Sequence, residues 1–89
     1  MEVWAYVFIT TREPKRVLRA VRLMTGVVHA DALLGSPDVV AIVSGSNIGD
    51  LDAVIDRVAE VPGVTATDSK VARWVDGVGP PGAAKTVVA

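Results

Sequence analysis

The stretch V-V-H-A-D-A-L-L-G-S-P-D-V-V-A-I-V-S-G, which runs from Val27 to Gly45, decides the fold. Two apolar, β-branched runs flank residues 35–38, whose sequence Gly-Ser-Pro-Asp is typical of a tight turn. Runs of this kind joined by a short glycine-containing loop predict a β-hairpin. The second arm is apolar at every position from Val39 to Val43, whereas a strand with one wet face alternates between apolar and polar residues. We therefore expect this arm to be a central strand that is covered on both sides.

A second segment with two apolar sides lies near the N-terminus. Val3 to Thr10 is rich in aromatic and β-branched residues, which predicts another central strand of the same sheet. Thr11 is the expected cap of a helix that follows, since apolar residues then recur at helical spacing as far as Gly26.

A second helix is expected after the hairpin, where Ser46 or Asn47 can cap its first turn. A more polar strand should run from about Val64 to Val75 at an edge of the sheet. The composition then becomes rich in glycine and proline. We expect residues 1–75 to form the domain and residues 76–89 to form a C-terminal tail.

The predicted order of strand, helix, strand, strand, helix, strand repeats one strand–helix–strand unit twice. Two right-handed crossovers of this kind give a four-stranded antiparallel sheet with both helices on one side. The predicted fold is therefore α+β, a ferredoxin-like βαββαβ sandwich. Its helix-free side stays apolar, which predicts a dimer that packs sheet against sheet.

Composition excludes several classes of function. The 89-residue chain has no cysteine and one histidine, which argues against thiolate and multi-histidine metal sites, and we expect no cofactor. A net charge of −1 predicts no general affinity for nucleic acid. The five cations around the first helix are typical of a solvated helix face, with nucleic-acid contact as the alternative. No apolar run approaches the roughly 20 residues that span a bilayer, so we expect a cytoplasmic protein without membrane contact.

Few residues of this chain have catalytic potential. His29 and Asp31 are two positions apart, so they project from the same side of a strand. They form either an acid–base pair or a set of edge charges that discourages unwanted strand pairing. The glycines do not have the spacing of a phosphate-binding loop. The lack of a catalytic set favours a binding module over an enzyme.

Two motifs carry a resemblance to a known family. The hairpin loop has the pattern Gly-x-x-Asp before an apolar strand, and residues 54–69 read V-I-D-R-V-A-E-V-P-G-V-T-A-T-D-S. With the order of elements, the chain from about Val3 to Val75 resembles the effector-binding (RAM) domain of Lrp/AsnC transcription regulators. No helix-turn-helix segment precedes the first strand, so the chain resembles a stand-alone version of this domain.

The resemblance implies dimers that assemble into larger rings such as octamers, with small effectors, typically amino acids, bound where two dimers meet. The ligand-binding residues that it implies are Gly35, Ser36, Pro37, Asp38, Thr67 and Ser69. Ser36 and Pro37 stand where an acidic and an aromatic residue are common in the family, which predicts a shallower pocket. We expect Asp38 to receive the ligand's ammonium group, and backbone N–H groups around Gly35 to meet its carboxylate. The alternatives are that Asp38 is a turn residue that bonds its own backbone, and that Thr67 and Ser69 are ordinary hydroxyl residues of an edge strand.

The predicted function is a non-catalytic module of transcription regulation that senses a small molecule and forms oligomers. Its expected partners are further copies of itself, an amino-acid effector, and a full-length Lrp/AsnC regulator, without direct contact to nucleic acid. One alternative is a small enzyme of the dimeric α+β barrel type, a monooxygenase or isomerase. It would place His29 and Asp31, or Trp4 and Tyr6, in a cavity under the sheet. The other alternative is an ACT-like regulatory domain, which binds amino acids at a different edge of the same fold.

Overall fold

The apolar runs form strands and the segments with helical spacing form helices, as the sequence predicts. The computed structural model describes residues 2–77. In chain order the elements are β1 (Val3–Thr11), α1 (Pro14–Arg22), β2 (Val27–Ala32), β3 (Val39–Gly45), α2 (Ile48–Ala59) and β4 (Val64–Val71). This order confirms the predicted βαββαβ arrangement.

The four strands form one antiparallel sheet in the order β2-β3-β1-β4. The central strands are thus β1 and β3, the two whose sequences are apolar on both sides. The more polar β2 and β4 lie at the edges. This strand order and the two helices confirm the ferredoxin-like fold.

The hydrophobic core lies between the sheet and the two helices. Its strand residues alternate along β1 and β3, because successive side chains of a strand point to opposite sides. The buried members of this core are Ala5, Val7, Ile9, Val17, Val21, Ala30, Val39, Ala41, Val43, Leu51, Val54 and Val58. Since full burial of a Val, Leu or Ile side chain is worth roughly 1.5–3 kcal/mol, this core holds both helices on one side of the sheet.

We call the other side of the sheet the open side, because α1 and α2 pack on the core side. The central strands present there Trp4, Tyr6, Phe8, Val40 and Ile42. Trp4 is only 5% exposed and Ile42 only 7%, and both pack against Tyr6 and Ala72. Phe8 and Val40 are half-buried. The open side is therefore apolar at its centre, as the sequence predicts.

The turn from β3 into α2 brings two stretches of backbone close together. Asn47 is the N-cap of α2, and its Oδ1 accepts a hydrogen bond from Asp50 N at 2.9 Å. This confirms one of the two expected caps. A Cβ atom placed on Gly45 would lie 2.6 Å from Leu51 N, so only glycine fits at this position.

The start of α1 differs from the expectation that Thr11 caps the helix. Thr11 is the last residue of β1, and Glu13 is the N-cap of α1. Pairing with β4 continues to Thr11, which lies opposite Val64 and is therefore held in the sheet. Its Oγ1 still accepts a hydrogen bond from Glu13 N at 2.9 Å, so the threonine supports the helix from the end of the strand.

The end of β4 also differs from the expectation. The strand ends at Val71 rather than near Val75. A backbone hydrogen bond from Ala72 N to Trp4 O at 2.8 Å still joins the chain to β1 directly after the strand ends.

The first arm of the hairpin contains an irregularity that the sequence pattern does not reveal. The register shifts between Val27 and His29, so that Val27 lies opposite Val43 on the core side. His29 lies opposite Ile42 on the open side. Strict alternation along the strand would place Val27 and His29 on the same side, and a bulge breaks that alternation.

Within residues 2–77, no helix is long and apolar enough to cross a membrane. The tail that the sequence predicts for residues 76–89 lies outside the described residues from position 78 onward.

Gly45→Ala is expected to destabilise the domain by about 1–3 kcal/mol, because the new methyl group would collide with the backbone of α2. Replacing glycine also lowers the entropy of the unfolded chain, which stabilises the folded state by only about 0.4–1 kcal/mol and so offsets part of this loss. Urea unfolding followed by circular dichroism measures the change. Ser44→Ala is the control, since it adds the same residue type next door without this collision. Equal stability of the two variants would contradict the close approach.

Candidate functional site

The hairpin loop is attached to both of its neighbouring strands. Leu33 N donates to Asp38 O at 2.8 Å, which closes the loop, and Asp38 N donates to Ile9 O at 3.0 Å. The second bond joins the end of the loop to the central strand β1. The loop is therefore held beside the C-terminal end of β1.

The Asp38 carboxylate is engaged with β1. Its Oδ2 accepts a hydrogen bond from Thr11 N at 3.0 Å, and the residue is half-buried. An aspartate in a turn often bonds its own backbone, but here it bonds a residue 27 positions away. Asp38 thus fixes the loop to the strand, and one of its two oxygens is already occupied.

Thr11 is the buried polar residue at the centre of this attachment. It is 5% exposed, and its hydroxyl donates to Gly63 O at 2.6 Å while accepting from Glu13 N. Together with the bond from its own N–H to Asp38, these contacts join the hairpin loop, the start of α1 and the turn between α2 and β4. The sequence reasoning treated Thr11 only as a helix cap and missed this role.

A pocket lies where the hairpin loop overhangs the open side of the sheet. Its volume is about 270 Å3. The lining residues are Phe8, Thr10, Ser36, Pro37, Ala66, Thr67, Asp68 and Lys70. The loop supplies one wall, and β1 and β4 supply the other. Pockets for small ligands span about 300–1,000 Å3, so this one lies just below that range and suits only a small ligand.

The structure brings together three of the six ligand-binding residues that the sequence predicts, namely Ser36, Pro37 and Thr67. The other three are not among the lining residues. Gly35 is exposed at the loop with φ of 120°, a conformation that favours glycine. Asp38 is turned toward Thr11.

The two predicted hydroxyl residues of β4 belong by register to the core side. Thr67 lies opposite Ile9 and Ser69 opposite Val7, and both of these partners are fully buried under the helices. Directly paired residues of antiparallel strands share one side of the sheet. The residues of β4 that share the open side are instead Ala66, Asp68 and Lys70.

The sequence reasoning missed Asp68 and Lys70 as site residues. They lie opposite Phe8 and Tyr6, and Lys70 Nζ is 3.3 Å from Asp68 Oδ2. Both side chains are about two-thirds exposed, at 67% and 68%. The sequence did contain a signal for them. If β4 pairs with β1, every second residue of β4 lies on the same side of the sheet as the aromatic residues of β1. The site thus offers one cation and one anion beside an apolar surface.

His29 and Asp31 lie at the opposite edge of the open side, as a pair. His29 Nε2 is 2.7 Å from Asp31 Oδ2, and Arg22 Nη2 is 3.7 Å from Asp31 Oδ1. All three side chains are about half exposed. Among residues 2–77, no group of three or more His, Cys, Asp or Glu residues could hold a metal ion. This geometry fits the interpretation of charges at a sheet edge.

The comparisons with known proteins agree with this architecture. The family model described as the Lrp/AsnC ligand binding domain matches residues 4–73. No curated protein matches the chain. Among solved structures, a Thermus thermophilus protein is similar with a TM-score of 0.75 and 24% identity, over 82% of this chain and 95% of that chain.

Two longer regulators share the same fold. Escherichia coli AsnC has a TM-score of 0.74 at 15% identity, over 83% of this chain and 52% of its own length. A transcriptional regulator from Neisseria meningitidis, solved as an L-Met complex, has a TM-score of 0.68 at 19% identity, over 81% of this chain and 50% of that chain. These likenesses show the fold. Since the family model spans most of the 89 residues, the chain belongs to the family of Lrp/AsnC ligand-binding domains.

Proposed function

We propose that this chain is a non-catalytic sensor module of transcription regulation, which binds an amino acid and acts in the cytoplasm. The observation that carries the proposal is the pocket between the hairpin loop and β4, the region where the family motif and a suitable cavity coincide. Membership of a transcription regulator family favours this function over a barrel enzyme or an ACT-like domain.

The choice of an amino acid as effector has two supports. The pocket is small, and it combines an apolar surface with one cation and one anion, which are the three features that an amino acid presents. The similar Neisseria regulator was solved with L-Met.

Thermal denaturation in the presence of each of the twenty standard L-amino acids tests this proposal. A ligand that binds the folded state raises its melting temperature by mass action. A rise with a subset of amino acids is the supporting result. An unchanged melting temperature with all twenty, checked by calorimetry, would refute amino-acid sensing.

We propose further that the chain forms a homodimer through the open side, and that dimers can assemble into an octameric ring or join a full-length Lrp/AsnC regulator. Tyr6, Phe8 and Val40 are half-buried apolar residues on this side, while both helices pack on the other. Burial of apolar area is worth about 25 cal/mol per Å2, although lost rotational and side-chain freedom offsets part of this gain.

Tyr6→Glu is expected to convert the dimer into a folded monomer. The carboxylate would be buried in the interface of the dimer, whereas in a monomer it would lie opposite Lys70 on β4. Sedimentation velocity at micromolar concentration measures the mass. Ala53→Glu, on the exposed surface of α2, is the matched control and should remain dimeric. A wild-type protein that sediments as a folded monomer would contradict the dimer.

We propose that Asp38 serves the site by holding the hairpin loop on Thr11. Asp38→Ala should destabilise the protein by about 1–3 kcal/mol, because the Thr11 N–H would lose its acceptor. Asp38→Asn keeps an acceptor oxygen and should retain both the stability and the amino-acid response. Urea unfolding and the thermal panel measure the two effects.

The alternative, that Asp38 pairs with the ligand's ammonium group, predicts the opposite for Asp38→Asn. That variant would then fold normally and lose the response, since the negative charge would be gone. Such a result would return Asp38 to the role that the family resemblance implies.

A further inference from the structure

We infer that Lys70 and Asp68 are the residues that recognise the two charges of the amino acid, with Lys70 taking the carboxylate and Asp68 the ammonium group. This inference rests on the proposed function, and it names the specificity-determining residues of the same pocket. It goes beyond the motif positions, because neither residue belongs to the loop pattern or to the hydroxyl positions of β4.

The position of the pair is the first argument. Asp68 and Lys70 are two residues apart on β4, so both project to the open side, where they line the pocket. Asp68 lies directly opposite Phe8, whose ring belongs to the same lining. The charged groups therefore stand at one wall of the pocket, and the hairpin loop stands at the other.

The weakness of the existing ion pair is the second argument. The Nζ–Oδ2 distance is 3.3 Å, but both side chains are about two-thirds exposed. An ion pair of this kind contributes about 0–1 kcal/mol, because water already solvates both charges. A ligand can therefore separate Lys70 from Asp68 at little cost and offer each a new partner.

Charge matching is the third argument. The pocket carries one positive and one negative group, and a zwitterionic amino acid satisfies both with charge-assisted hydrogen bonds. An amine without a carboxylate would offer no negative group to Lys70. A carboxylic acid without an ammonium group would offer no positive group to Asp68. The pair thus distinguishes an amino acid from a molecule with the same side chain and only one charge.

The apolar lining determines where the ligand's side chain lies. The apolar members of the lining are Phe8 and Ala66 on the sheet and Pro37 on the hairpin loop. With the charged atoms of the ligand held by Asp68 and Lys70, its side chain points toward Pro37. The side chains of Pro37 and Ser36 offer no donor or acceptor beyond one hydroxyl, so this end of the pocket favours an apolar side chain of modest size.

Isothermal titration calorimetry on the full chain tests the inference, with L-methionine as probe together with its analogues 3-(methylthio)propylamine and 4-(methylthio)butanoic acid. These analogues lack the carboxylate and the ammonium group, respectively. Wild-type protein should bind L-methionine at least about tenfold more tightly than either analogue. Lys70→Met should remove the preference over the amine, and Asp68→Asn the preference over the acid.

Two controls separate recognition of charge from a general loss of structure. Lys15→Met on α1 and Asp52→Asn on α2 remove the same charges from exposed positions outside the pocket, and they should retain both preferences. Melting temperatures of all four variants should stay near that of the parent, since the substituted side chains are exposed.

The outcomes distinguish this inference from the proposed function. Binding of L-methionine that Lys70→Met and Asp68→Asn leave unchanged would overturn the roles of these residues and leave amino-acid sensing intact. A parent protein that binds polar amino acids but no apolar amino acid would overturn the assignment of an apolar ligand side chain. If none of the twenty amino acids binds, both the inference and the proposed function fail.

Discussion

The pairing of two strands that are apolar on both sides is the constraint on which the rest of the structure depends. Neither β1 nor β3 has a polar side that could face water, so both must lie in the centre of the sheet. The two helices cover one side with a core in which Val7 and Ala41 are fully buried. Every charged residue of the sheet is consequently placed on an edge strand. The binding and assembly surfaces must then form on the remaining side, between an apolar centre and charged rims.

A small buried polar cluster then determines the shape of the candidate site. Thr11 uses its backbone N–H and its hydroxyl to hold Asp38, Glu13 and Gly63, which belong to three different segments of the chain. A buried polar group without a partner costs about 1–3 kcal/mol. These hydrogen bonds therefore favour the observed relative position of the loop, the start of α1 and the turn before β4. Pro37 thereby comes to rest over the same side of the sheet as Phe8.

The fold could be predicted from the sequence because its main signals are local. The apolar run at Val39–Val43 and the loop at residues 35–38 specify a hairpin whose second arm is central, and the register confirms this. The failures concern positions that depend on non-local pairing. The predictions that Thr11 caps α1 and that β4 ends near Val75 were wrong, because the length of each strand depends on its pairing with the neighbouring strand. The bulge at Val27 leaves no trace in the alternation of residue types.

The site was harder to predict than the fold for the same reason. The loop residues Ser36 and Pro37 could be found by motif, and the structure places both in the pocket wall. The partner residues on β4 depend on register. Thr67 borders the pocket, but the β4 side chains that share its side of the sheet and carry charge are Asp68 and Lys70, whereas Ser69 lies opposite a core residue. A family motif marks which strand lines the site. The motif does not identify which charged side chains of β4 line the pocket in this chain.

The open side must serve both ligand binding and assembly, and the register couples the two. Lys70 lies opposite Tyr6, and Tyr6 packs in the apolar centre that a second copy would cover. An approaching copy would have to remove water from a charged pair beside that centre, and desolvation of charges opposes association. A zwitterion bound between Asp68 and Lys70 would hold both charges in fixed hydrogen bonds and reduce this cost. Ligand binding would then favour the dimer without any change in the fold. The bound ligand would lower the cost of removing water from one ion pair, and this cost otherwise opposes dimerisation.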